Sequence, residues 1–139
     1  MSGPARTMTA MSDMLATAYG SAAMMTSVLV SPNGNYEYEA AHGTVRRHYY
    51  RYLEGGVAST NPLAIIMAWA SALEKRGELD QNKELETFGR QLKEAAVNTV
   101  ENGIMTADLK KVTTIKNPHV VTGLVFIATV QERLMKLRG

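Results

Sequence analysis

The chain has 139 residues, a net charge of +2 and no cysteine. This length fits one domain, and the lack of cysteine excludes disulfide bridges and thiolate metal sites. The charge is too small to indicate nucleic-acid binding, and no apolar run approaches the roughly 20 residues that a membrane span needs. We therefore expect no nucleic-acid partner and no membrane insertion.

A β-hairpin is predicted over residues 26–40. Residues 26–30 (TSVLV) are β-branched and apolar, which favours a strand. Asn33 and Gly34 lie in the turn, where Asn-Gly can adopt the positive φ values that a hairpin needs. Residues 36–40 (YEYEA) alternate aromatic and acidic side chains and predict the returning strand. A helical turn is also predicted at residues 13–18.

A long helix is predicted after the hairpin. Thr60 or Asn61 is expected to cap it, with Pro62 at its first position. Apolar residues at spacings of three and four predict one buried face: Leu63, Ile66, Met67, Ala70 and Leu73. Gly77 is expected to end this helix.

A second long helix is predicted from a cap at Asp80 to a stop at Gly103. Its expected inner face consists of Leu85, Phe88, Leu92, Ala96 and Thr99. Thr106 is expected to begin a short helical turn. After a break at residues 117–118 (NP), a last helix is predicted over residues 124–138.

The basic residues concentrate near the end of the chain. Residues 109–139 hold six lysines and arginines against one acid, Glu132. This pattern is typical of a solvated helix face with cations near the helix C-terminus. A docking surface for an acidic partner is the alternative interpretation.

The segment between the hairpin and the first long helix is the main candidate for a site. Residues 39–48 (EAAHGTVRRH) predict a loop that combines backbone amides, a hydroxyl and cations, and residues 59–62 (STNP) open the next helix. A helix start attracts anions. Arg47 can form two hydrogen bonds with a phosphate, and His48 adds a donor that strengthens when it is protonated. The combination is typical of a site for a phosphorylated nucleotide.

These residues also resemble the C-terminal part of the eukaryotic type of NADP-dependent isocitrate dehydrogenase. The resemblance covers residues 13–109, and its main matching segments are 19–21 (YGS), 24–30 (MMTSVLV), 39–45 (EAAHGTV), 47–49 (RHY), 59–62 (STNP), 82–85 (NKEL) and 105–109 (MTADL). It implies an α/β fold, specifically a partial isocitrate/isopropylmalate dehydrogenase-like domain that is mostly helical with one β-hairpin. The rest of the sheet would come from earlier sequence.

The resemblance divides the chain into two parts. Residues 13–139 correspond to the C-terminal region of the dehydrogenase. Residues 1–12 do not continue its pattern and are interpreted as a flexible leader, which would also fit the remnant of a transit peptide.

The resemblance implies contacts with NADP. Arg47 and His48 match the pair expected on the 2′-phosphate, which favours NADP over NAD. The other implied cofactor-binding residues are His42, Gly43, Thr44 and Val45 along the adenosine and phosphates, Thr60 and Asn61 near the adenine and ribose, and Asp108 near the adenine. Read from the residues alone, Thr44, Thr60 and Asn61 fit turn and cap positions, His48 fits a surface histidine, and Asp108 fits an anion in the first turn of a helix.

A divalent metal, Mg²⁺ or Mn²⁺, is also implied. Asp13 matches one metal carboxylate of the family, but the nearby second carboxylate falls on Thr9, which offers only a neutral hydroxyl. Arg46 stands where the family has a small hydroxyl residue. Its guanidinium would either add phosphate affinity or block the pocket.

The resemblance implies an incomplete enzyme. The family's substrate-binding arginines and its catalytic tyrosine and lysine belong to sequence before residue 1, so no catalytic residue is assigned here. Three accounts follow: part of a larger dehydrogenase whose other portion supplies the missing sheet, a non-catalytic structural subunit of a larger mitochondrial assembly, or a truncated gene product. The first two are about equally supported. Either needs a protein partner, and the mitochondrial matrix and the cytosol both fit.

Overall fold

The computed structural model describes residues 26–40, 46–56 and 60–139, with residues 46–48 described by their backbone alone. The helical turn predicted at residues 13–18 lies outside these ranges. Within them, the chain forms a hairpin, four α-helices and a pair of two-residue strands. The prediction of a mostly helical chain with a hairpin is confirmed.

The hairpin has the predicted bounds. Strands β1 (Thr26–Val30) and β2 (Tyr36–Ala40) pair antiparallel, with Thr26 opposite Ala40. Gly34 has a φ of +81°, and its N–H donates to the carbonyl of Ser31 at 2.9 Å. The turn therefore uses the conformational freedom of glycine, as the sequence predicted.

The loop predicted through residue 48 is wrong from Arg46 onward, because helix α1 spans Arg46–Leu53. Tyr49, Tyr52 and Leu53 lie at spacings of three and four, a helical signal that the prediction of a loop overlooked. The helix ends where Gly55 adopts a φ of +77° and the N–H of Gly56 donates to the carbonyl of Arg51 at 2.9 Å. Arg47 and His48 consequently lie in the first turn of a helix.

Helices α2 (Leu63–Leu79) and α3 (Lys83–Glu101) form the main packed pair. The prediction that Gly77 ends α2 is wrong, since Gly77 lies buried inside the helix. A Cβ on Gly77 would clash with the backbone of Glu86, and one on Gly89 would lie 2.6 Å from the carbonyl oxygen of Ala70. Both glycines serve the close approach of two helices.

The cap predicted for α3 is displaced by two residues. The side chain of Asn82, and not that of Asp80, accepts a hydrogen bond from the N–H of Leu85 at 3.1 Å. Asp80 instead follows the end of α2, where its carboxylate binds the Arg76 guanidinium in two hydrogen bonds. The stop at Gly103 is confirmed, since its φ is +81°.

The remaining elements close the core beneath α3. They are β3 (Ile104–Met105), a 3-10 helix (Leu109–Lys111), β4 (His119–Val120) and α4 (Gly123–Arg138). Strands β3 and β4 pair in parallel, which the sequence did not predict. The hydrophobic core joins these elements to both long helices through one cluster of buried side chains: Leu63, Ala95, Ala96, Met105, Leu109, Phe126 and Val130.

The predicted inner faces of the two long helices are largely confirmed. Leu63 and Ala70 on α2, and Ala96 and Thr99 on α3, are buried. The larger predicted side chains are only partly buried: Ile66, Met67, Leu73, Leu85, Phe88 and Leu92. Small residues occupy the tightest contacts, which explains why the helices approach so closely.

Candidate functional site

The predicted nucleotide segment joins a strand to a helix start. Strand β2 ends at Ala40 and α1 begins at Arg46. His42, Gly43, Thr44 and Val45 lie outside the described residues, as does the predicted metal ligand Asp13. The structure thus shows the two elements that flank the loop.

The first turn of α1 is unusually cationic. It begins with Arg46, Arg47 and His48 and contains no acidic residue. Positive side chains at this end oppose the partial positive charge of the helix start. An anion bound there would offset both, which is the electrostatic requirement of a phosphate site.

Thr60 and Asn61 lie immediately before α2. Thr60 is exposed, whereas Asn61 is partly buried and its Oδ1 accepts a hydrogen bond from the N–H of Leu63 at 3.0 Å. Asn61 thus binds the backbone at the helix start, but the cap position is Pro62 and not the predicted Thr60 or Asn61. The prediction that Pro62 occupies the first helical position is wrong by one residue. Thr60 is left accessible at the same helix start.

Asp108 lies just before the 3-10 helix and is partly buried. Its side chain makes no cap hydrogen bond to that helix. Its Oδ1 accepts a hydrogen bond of 2.6 Å from the hydroxyl of Thr106, which is 1% exposed. The sequence predicted that Thr106 begins a short helical turn, whereas the 3-10 helix begins at Leu109 and Thr106 binds Asp108 instead.

The core connects these two positions. Leu63 follows Asn61 by two residues, Leu109 follows Asp108, and both leucines belong to the same buried cluster. The start of α2 and the start of the 3-10 helix are therefore fixed within one packed unit. The side chains of Arg47 and His48 are not among those that the structure describes.

An aromatic groove lies between the hairpin and α2. Its volume is about 330 Å³, and it is lined by Tyr36, Tyr38, Ala40, Ile65, Ala68, Trp69 and Ala72. Trp69 is 65% exposed and Ile65 is 39% exposed. The hairpin and α2 therefore expose apolar side chains on both sides of this groove.

A charged groove lies beside the aromatic one. Lys75 Nζ lies 4.7 Å from the centre of the Tyr36 ring and binds Glu78, whose hydrogen bond raises the pKa of Lys75. Tyr38 lines the same charged groove, and burial raises its pKa. Across the helix pair, Lys93 Nζ lies 2.5 Å from Glu74 Oε2. The Lys93–Glu74 pair joins α3 to α2, whereas the Lys75–Glu78 pair lies within α2.

The part of the chain that the structure describes contains no group of three or more histidine or acidic side chains arranged to hold a metal ion. Among the same residues, no helix is long and apolar enough to cross a membrane.

Comparison with known proteins identifies the family. Residues 9–125 match the family model for isocitrate/isopropylmalate dehydrogenase. The chain is 45% identical over 134 residues to proteins named mitochondrial NADP isocitrate dehydrogenase in Homo sapiens, Mus musculus and Sus scrofa, with 92% of this chain aligned. It spans only 30% of the human and mouse proteins and 32% of the pig protein. The chain belongs to the isocitrate/isopropylmalate dehydrogenase family.

Proposed function

We propose that this chain supplies the NADP-binding segment of an isocitrate dehydrogenase and acts as part of a larger dehydrogenase. The observation that carries the proposal is the cationic first turn of α1, which follows β2 and contains Arg46, Arg47 and His48 without an acid. Relatives that are 45% identical carry NADP in their names, which supports the choice of cofactor. NADP, when bound, would accept the hydride, and the protein would orient it.

Each candidate residue has a role in this proposal. Arg47 and His48 bind the 2′-phosphate, while residues 42–45 follow the adenosine and phosphates. Thr60 and Asn61 lie near the adenine and ribose. Asp108 lies near the adenine and is oriented by Thr106, whose hydroxyl donates to it at 2.6 Å.

Two of the described residues offer groups that can bind NADP. Thr60 is exposed beside the start of α2, and Asp108 retains a second carboxylate oxygen beyond the one that Thr106 binds. These groups can accept hydrogen bonds from a ribose or an adenine amino group. For the metal, Mg²⁺ or Mn²⁺, we propose Asp13 as the single ligand from this chain, with the other ligands supplied by substrate and the rest of the dehydrogenase.

The chain is proposed to be inactive alone, because the family's substrate arginines and acid-base residues match nothing in it. Purified chain should show no isocitrate-dependent reduction of NADP, even with Mn²⁺. Calorimetric titration should nevertheless show NADP binding that is tighter than NAD binding. Robust turnover would contradict the proposed inactivity of the free chain. Equal affinities for NADP and NAD would contradict the proposed preference for NADP.

A structural subunit is the second candidate function. Thr9 replaces a metal carboxylate and Arg46 replaces a small hydroxyl residue, and both changes weaken the case for retained catalysis. Such a subunit should copurify with other proteins and should not bind NADP. For either function we propose the mitochondrial matrix, since the similar proteins are named as mitochondrial.

A further inference from the structure

The chain contains two Asn-Gly sequences, at residues 33–34 and 102–103. This dipeptide is chemically labile, because the backbone nitrogen of the glycine can attack the side-chain amide carbon of the asparagine. Glycine has no Cβ, so it hinders this attack less than other residues do. Asparagine is accordingly one of the thermolabile residues of proteins. The two sequences share this chemistry and differ in the structure that surrounds them.

Asn33 and Gly34 lie at the tip of the β1–β2 hairpin, where both are exposed. The N–H of Gly34 donates to the carbonyl of Ser31 at 2.9 Å, and this bond must open before the nitrogen can attack. Among the residues that the structure describes, none forms a hydrogen bond with the side chain of Asn33. A Cβ on Gly34 would meet nothing within 4 Å, so the turn is not packed against another element. A small local opening therefore exposes the reacting groups.

Asn102 and Gly103 are held on several sides at the end of α3. Nδ2 of Asn102, the leaving group, donates to the carbonyl of Asn98 at 2.6 Å. The N–H of Gly103 donates to the carbonyl of Val100 at 2.8 Å, and the Gly103 carbonyl accepts from the N–H of His119 at 2.7 Å. Gly103 is also buried. Attack at Asn102 therefore requires the end of α3 and the contact between β3 and β4 to open together.

We propose that Asn33 is a site of spontaneous deamidation and isoaspartate formation, and that the fold protects Asn102 from the same reaction. The nitrogen of Gly34 bonds to Cγ of Asn33, the Cγ–Nδ2 bond breaks, and ammonia leaves with the proton of the Gly34 N–H. Water then opens the cyclic imide at one of its two carbonyls, which gives aspartate or isoaspartate. The inference goes beyond the proposed function and does not depend on it, since neither residue belongs to the cofactor segment.

The reaction changes the hairpin in two ways. Isoaspartate adds a methylene to the backbone of the turn, next to the Val30–Tyr36 pair that closes the ladder. The turn fixes the register of a hairpin, and a two-stranded hairpin is marginally stable, so a longer turn should loosen the pairing of β1 with β2. Both products also add a negative charge at the tip. Deamidation at Asn33 thus marks the age of the chain and weakens the strand that leads into residues 41–45.

The test incubates the purified full chain in mildly alkaline buffer and follows both sites by peptide mass spectrometry. Deamidation raises the mass of each peptide, and electron-transfer fragmentation distinguishes isoaspartate from aspartate. In the folded chain, Asn33 should react about tenfold or more faster than Asn102, because only Asn33 can react without opening buried structure. Transfer of a methyl group from S-adenosylmethionine by an isoaspartyl methyltransferase gives a second readout at the same site.

Unfolding provides the matched control, because it removes the structural difference between the two sites. In concentrated urea the two deamidation rates should agree within about threefold. Equal rates in the folded chain would contradict the claim that the fold selects Asn33. A folded chain in which Asn33 stays intact, while both sites react in urea, would show that the hairpin tip is protected and would overturn the proposal.

Asn33→Gln tests the effect on the hairpin. Glutamine keeps the amide but places its carbon one bond farther from the Gly34 nitrogen, so closure needs a larger and less favoured ring. After incubation, amide hydrogen exchange of residues 26–30 and 36–40 should be about tenfold faster in the parent chain than in the variant. Equal exchange in the two incubated chains, with Asn33 converted in the parent, would contradict the proposed loosening. NADP titration of fresh chain tests the proposed function separately, since deamidation proceeds whether or not the cofactor binds.

Discussion

The hydroxyl of Thr106 donates a hydrogen bond of 2.6 Å to Oδ1 of Asp108. Thr106 is almost fully buried, so this bond orients a carboxylate from inside the protein. Thr106→Val should cost about 1–2 kcal/mol in the free energy of unfolding, because the shape is kept and the donor is lost. Urea denaturation measures this loss of stability. Thr106→Ser keeps the hydroxyl and should retain most of the stability that Thr106→Val loses.

Arg47→Ala should weaken NADP binding by about 10- to 100-fold, the value of a hydrogen-bonded charge pair with phosphate. NAD lacks the 2′-phosphate and should lose little affinity. Arg51→Ala is the control, since Arg51 is an exposed arginine on the same helix. Calorimetric titration with both cofactors gives the result, and an equal loss for NADP and NAD would remove the assignment to the 2′-phosphate.

Gly89→Ala should destabilise the chain by about 1–3 kcal/mol through overpacking. Its new Cβ would lie 2.6 Å from both the Ala70 carbonyl oxygen and the Glu74 backbone nitrogen. Helix propensity alone predicts the opposite sign, a gain of about 1 kcal/mol. Glu94→Ala, at an exposed position of the same helix, should change little. A stabilised Gly89→Ala variant would show that the two helices can move apart at no cost.

The Lys83–Glu86 pair should make stability depend on pH. The hydrogen bond from Lys83, at 2.7 Å, lowers the pKa of Glu86 from its ordinary 4.5. Because the pKa of Glu86 is lower in the folded state, the pair stabilises the protein at pH values above the pKa that Glu86 has in the unfolded chain. This contribution is lost as the pH falls through the pKa of Glu86 in the folded state. Lys83→Met should therefore lower Tm slightly at pH 7, and this difference should disappear as the pH falls through the folded-state pKa of Glu86.

Lys110→Met is the control for that measurement. Lys110 is exposed, and the described residues contain no ion pair with it. The Tm of the Lys110→Met variant should change little, and by the same amount at neutral and low pH. A Lys83→Met effect that persists at low pH would point to packing of the lysine stem instead of charge.

The hairpin and the last helix could be predicted from sequence because their signals are local. Asn33-Gly34 specifies a turn by its backbone preferences, and the break at residues 117–118 separates α4 from the preceding elements. Gly77 was misassigned because glycine has two uses, ending a helix or allowing a neighbour to approach. Only the position of α3 decides between them.

The candidate site was predicted by resemblance more than by physical pattern.

Asp80 and Asn82 are both good cap residues two positions apart, and tertiary geometry selected Asn82. Helix α1 was missed because its segment was read as a phosphate-binding loop, although Tyr49, Tyr52 and Leu53 lie at helical spacing. The contact of Thr106 with Asp108 could not be predicted from the sequence, because the burial of Thr106 arises only in the folded chain.

The close α2–α3 contact also has a consequence for the order of folding. These helices are adjacent in sequence, separated only by residues 80–82, and they share the most extensive interface between any two described elements. Contacts between sequence neighbours close short loops and form quickly. We expect this helical pair to belong to the folding nucleus.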